Sequence, residues 1–124
     1  LRENNRLPSI KKLFMSNLER LHLLKEYIRD EPENPFNYYA YALEIKEIDP
    51  NESSDLFDYL LVNHSDYLPV YFPAAHFFFE LGQIEKAKGI FKIGIFTAQS
   101  QGDQKALKEL QNAYQNFLYE NDME

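Results

Sequence analysis

Apolar residues recur along the chain at steps of three and four, and they are densest between Pro69 and Phe96. Tyr71, Ala74, Ala75 and Phe78 fall on one stripe of a helix with about 3.6 residues per turn. Ala87, Phe91, Gly94, Ile95 and Ala98 form a second such stripe. Gly82 stands between them, where a left-handed residue would end the first helix. Pro69 suits an opening helical turn, since its missing N–H has no partner there anyway. Pro73 falls further in and predicts a lost hydrogen bond and a kink. Small residues beside large aromatic ones on both stripes predict two antiparallel helices in close, interdigitated contact.

The flanking segments repeat this theme. Ser16-Asn17-Leu18-Glu19 reads as a capping box that opens a helix with Leu21, Leu24, Tyr27 and Ile28 on its buried stripe, stopped by Pro32. A further helix starts at Pro35, where Phe36, Tyr39, Ala40 and Leu43 answer Tyr71, Ala74, Ala75 and Phe78 at an offset of 35. Asp49-Pro50-Asn51-Glu52 is a second capping box. Beyond it, Ser53, Leu56, Phe57 and Leu60 answer Ala87, Ile90, Phe91 and Gly94 at an offset of 34. Gly102 ends the long helix, and Asp103 caps a last one with Leu107, Leu110, Tyr114 and Phe117 inside. Its other face, with Lys105, Lys108, Gln111, Asn112 and Gln115, is polar. Residues 1–15 show little periodicity and are expected to form a poorly ordered arm or leader, with Met15 as a candidate natural start.

An aromatic residue, a small pair, an aromatic, then Gly, Ala, aromatic and a small residue, as in Tyr71, Ala74, Ala75, Phe78, Gly82, Ala87, Phe91 and Gly94, resembles the tetratricopeptide-repeat pattern. The resemblance implies an all-α fold, a right-handed α-α superhelix of antiparallel helical hairpins with about six helices. It divides the chain into a half-repeat (17–31), two repeats (35–64 and 69–101) and a capping helix (103–120). It also implies a non-catalytic module that binds a peptide or helix of another protein in a concave groove lined by the first helix of each repeat. Carried over by position, the groove residues are Asn37, Tyr41 and Glu44, then Phe72, His76, Phe79 and Glu80, then Lys108, Asn112 and Gln115. Phe72 and Phe79 lie off the packing stripe, which makes them candidate aromatic anchors. A subgroup that clamps a C-terminal carboxylate with Lys and Asn is poorly matched, since Asn37, Tyr41 and His76 occupy its key slots.

Composition narrows the partners. Residues 1–30 carry a net charge of +3, residues 31–80 of −9 and residues 81–124 of −1, giving −7 overall. An acidic middle repels phosphate backbones, so nucleic acid is not an expected partner. There are no cysteines, which removes disulfides, thiolate metal sites and cysteine nucleophiles. No apolar run is long enough for a membrane span, and no signal-peptide core follows the early basic residues, so the expectation is a cytoplasmic protein. His22, His64 and His76 share no metal-ligand spacing, and no cofactor, metal or catalytic residue is expected. His64-Ser65-Asp66 is triad-like only in text, since neighbours in sequence point different ways. Two rivals to the binding module are a homodimer or larger assembly through an apolar inner face, and an enzyme using His76 and Glu80 one helical turn apart.

Overall fold

In the computed structural model, residues 7–122 are described, with side chains from residue 17 onward. Six α-helices and one 3-10 turn account for their regular structure, and no strand occurs among them. The helices are α1 (Leu7–Asp30), α2 (Pro35–Ile45), α3 (Pro50–Asn63), α4 (Tyr71–Glu80), α5 (Ile84–Gln101) and α6 (Gln104–Glu120). The chain divides into two compact units, and the division falls inside α3, between Leu56 and Phe57.

Helix ends follow the local signals. Asn34 Oδ1 accepts the Phe36 N–H at 3.1 Å, with Pro35 opening α2. Asp49 Oδ1 accepts the Glu52 N–H at 3.1 Å, and Asp103 Oδ1 accepts the Ala106 N–H at 3.0 Å. Gly82 (φ +81°) and Gly102 (φ +70°) are left-handed, as the two stops require. The amide after each reaches back five residues, Gln83 N–H to Phe78 O at 2.9 Å and Asp103 N–H to Ala98 O at 3.0 Å.

The N-terminal unit packs α1 on α2 around Leu21, Leu24, Tyr41 and Ile45, with Ile28, Ala40 and Leu56 against them. Ser53 is fully buried and its hydroxyl donates to Ala42 O at 2.8 Å. In the C-terminal unit α4 packs on α5 and α5 on α6. Phe57, Tyr71, Ala74, Ala75, Phe78, Ala87, Phe91 and Phe117 are all buried there. The ring of Phe57 lies 5.0 Å from that of Phe77 and 6.4 Å from that of Phe78. Lys86 joins the edge of this core, its Nζ 3.9 Å from the Phe78 ring centroid and 2.8 Å from Asp58 Oδ1.

Four expectations are corrected. Helix α1 begins at Leu7 and runs through Ser16, so the Ser16–Glu19 box does not start a helix; of the arm expected over 1–15, residues 1–6 lie outside the described residues and the rest continues α1. Tyr27 is 44% exposed and leaves the α1 stripe to Leu21, Leu24 and Ile28. Pro73 lies in the first turn of α4, where an N–H would have no helical partner, so no bond is lost inside the helix. The register of α2 is also different. Phe36 is 55% exposed, while Asn37, Tyr41, Ala42 and Ile45 are buried. Those four coincide with buried Val70, Ala74, Ala75 and Phe78 at an offset of 33, not 35.

Candidate functional site

The residues expected to share one groove fall into both units, and the structure treats them differently. Asn37 is buried, and its side-chain amide reaches Tyr27 O at 3.4 Å, near the helical exit of α1. Tyr41 is 3% exposed and belongs to the core; Lys25 Nζ sits 5.9 Å from its ring centroid. Burial pushes the Tyr41 phenol above its ordinary pKa, as it does for Tyr39. Glu44 is half-buried, with Oε2 accepting from Arg20 Nη2 at 3.0 Å. The register correction explains this. At an offset of 33 the counterparts of Phe72, His76 and Phe79 are Tyr39, Leu43 and Lys46, all half-buried.

In the C-terminal unit, Phe72, His76, Phe79 and Glu80 come together around one cavity of about 280 Å³ between α4 and α6. They sit on the face of α4 turned away from Tyr71, Ala74, Ala75 and Phe78. Phe91 reaches the cavity floor from α5, and Ala113, Asn116, Phe117 and Glu120 close it from α6. The rings form a continuous series. Phe72 lies 6.4 Å from Phe91, Phe91 5.3 Å from Phe117, and Phe117 5.5 Å edge-on from Phe79. Tyr114 backs them, 5.5 Å from Phe91. Buried Phe91 and Phe117 (3% and 4% exposed) hold the series in place, and Phe72, 51% exposed, presents an open face.

The polar groups lie at the rim. His76 Nε2 is 3.8 Å from Glu80 Oε2, and both side chains are more than half exposed. Lys108, Asn112 and Gln115 are exposed on α6 but line no part of the cavity. The next residues round the helix, Ala113 and Asn116, do so instead. Phe117 was legible as part of the α6 apolar stripe; its second role as cavity wall was not. Glu120, in the last turn of α6, carries no signal beyond its charge.

The His64-Ser65-Asp66 segment is a turn support. Tyr71 Oη donates to Ser65 O at 2.6 Å, and Gln101 Nε2 donates to Asp66 O at 2.8 Å. Among the described residues, no group of three or more His, Asp or Glu is placed to hold a metal ion, and no helix is long and apolar enough to cross a membrane.

A solution NMR structure of a tetratricopeptide repeat domain protein from Salinibacter ruber is similar to this chain at 32% sequence identity and a TM-score of 0.65. The match spans 69% of this chain and 88% of that one. The chain belongs to the tetratricopeptide-repeat family. No family model matches it, and no curated protein does. The cavity lies on the α4 side of the packed α4–α5 pair. Ala75, Ala87 and Gly94, small residues of that pair, are all buried, as close helix contact needs.

Proposed function

We propose that this tetratricopeptide-repeat chain is a non-catalytic protein-interaction module that receives a segment of a partner protein on the α4–α6 face of its C-terminal unit. The observation that carries the reading is the ring series Phe72–Phe91–Phe117–Phe79. It ends in an aromatic side chain that is half exposed although the fold buries its neighbours. Anchors of this kind, apolar at the centre and polar at the rim, concentrate binding energy in protein interfaces. His76 and Glu80 support binding rather than turnover, because both are open to water and neither is held by a buried orienting group. The acidic charge of the chain favours a protein partner over a nucleic acid.

Affinity purification from source cells tests this, with the wild-type chain and Phe72→Ala immobilised side by side. Proteins retained by the wild type should be lost with Phe72→Ala, while circular dichroism shows both chains equally helical. Retention of the same proteins by both would overturn the reading. A second copy of the chain is the rival occupant, favoured by the same open ring. Sedimentation equilibrium over micromolar concentrations decides that point, since self-association would appear as a mass that rises with concentration.

A further inference from the structure

We infer that the α4–α6 cavity takes the cationic side chain of a lysine or arginine in the partner polypeptide, a reading that rests on the interaction-module proposal and specifies its ligand. The cavity pairs an aromatic interior with an acidic rim. Phe72, Phe79, Phe91 and Phe117 supply ring faces and edges around a space of about 280 Å³, enough for a long aliphatic stem. Glu80 and Glu120 stand on opposite sides, one on α4 and one on α6. Methylenes packed on rings with a charged head held by carboxylates is the arrangement that long basic side chains favour.

Helix electrostatics point the same way. Glu80 is the last residue of α4 and Glu120 the last of α6, so both helices end at the cavity with the negative pole of their dipoles. Neither helix has a basic residue in its last turn, and among the described residues no Lys or Arg lines the cavity. Two carboxylates thus stand at the negative poles of two helices, at the mouth of one aromatic cavity. An incoming ammonium or guanidinium group relieves this arrangement, whereas a carboxylate or a plain apolar side chain does not.

The test is an NMR titration of the full chain with blocked single amino acids: N-acetyl-lysine methylamide, its arginine counterpart, the uncharged norleucine isostere and the glutamate derivative. Lysine and arginine should shift the Asn116 side-chain amide and the Phe72 and Phe79 ring resonances. Their affinity should exceed that of norleucine by about tenfold and fall with added salt. The exposed pair Glu80→Gln and Glu120→Gln should erase that advantage while leaving norleucine unaffected. Norleucine binding as well as lysine would overturn the inference and leave the module reading intact. So would preference for glutamate, or no shift at the cavity with any probe. The module reading stands or falls separately, on the Phe72→Ala purification, whose outcome does not depend on probe charge.

Discussion

A Cβ placed on Gly94 would lie 2.8 Å from Tyr71 Cβ and 2.9 Å from Tyr71 Cγ. Those Tyr71 atoms sit next to the α4 backbone and cannot swing aside, so α4 and α5 meet at this point because position 94 has no side chain. The contact holds Tyr71 at 1% exposure and sets the spacing from which Phe72, the next residue, turns toward the cavity.

Gly94→Ala should therefore destabilise the fold, even though alanine is the better helix former. The gain in propensity is about 1 kcal/mol, and forcing the helices apart costs about 1–3 kcal/mol. Gly89, in the same helix, has nothing within 4 Å of an added Cβ. Gly89→Ala should raise stability by up to about 1 kcal/mol. Urea denaturation of the two variants should move the midpoint in opposite directions; a shift of the same sign would refute the close-approach argument.

Phe91 and Phe72 touch the same cavity but should behave differently. Phe91 is 3% exposed and Phe72 is 51% exposed. Phe91→Ala should cost about 3–5 kcal/mol, by lost burial and the void left among Phe117 and Tyr114. Phe72→Ala should cost less than about 1 kcal/mol, because water already reaches that ring. Equal losses in thermal or urea unfolding would place Phe72 in the core and remove it as an anchor.

In the N-terminal unit, Ser53 stands 34 residues before Ala87, and both are fully buried. Its hydroxyl donates to Ala42 O at 2.8 Å. Ser53→Ala should cost about 1 kcal/mol, the net value of one buried hydrogen bond, while Ser53→Leu should cost more by overpacking. Guanidinium unfolding followed by circular dichroism would check the order of the two variants.

These residues also show what the sequence made legible. The α4–α5 pair was readable because Gly82 fixes the turn and small Gly94 lies opposite large Tyr71. Helix α2 lacks such a marker. Phe36 looks like a core residue and Asn37 like a surface one, yet Asn37 is buried through its hydrogen bond to Tyr27 O, and Phe36 is not. With ten Phe and nine Tyr the chain has more aromatic residues than one stripe can hold, so apolar character alone selects the wrong set. That slip of two residues carried Asn37, Tyr41 and Glu44 into the expected groove. The cavity was half legible: Phe72, His76, Phe79 and Glu80 follow from the correct α4 register. Its α6 wall depends on how α6 is rotated against α5, which no residue spacing specifies.

Alkaline pH gives the last test. Burial is the leading cause that raises the phenol pKa of Tyr39, Tyr41, Tyr71 and Tyr114 above the ordinary 10.0. A raised value means the folded chain favours the neutral phenol. Below pH 10.0 the phenols are neutral in both states and their full contribution is present. As pH climbs past that value the unfolded chain ionises first, and stability is lost until the folded phenols also titrate. Urea midpoints should thus be flat up to about pH 9 and fall above about pH 10. Tyr71→Phe separates two effects. It removes the hydrogen bond to Ser65 O, costing about 1 kcal/mol at neutral pH, and it makes the alkaline decline shallower. A variant as steep as the wild type would show that Tyr71 does not contribute to the decline, and that its burial in the groove between α4 and α5 is looser than 1% exposure implies.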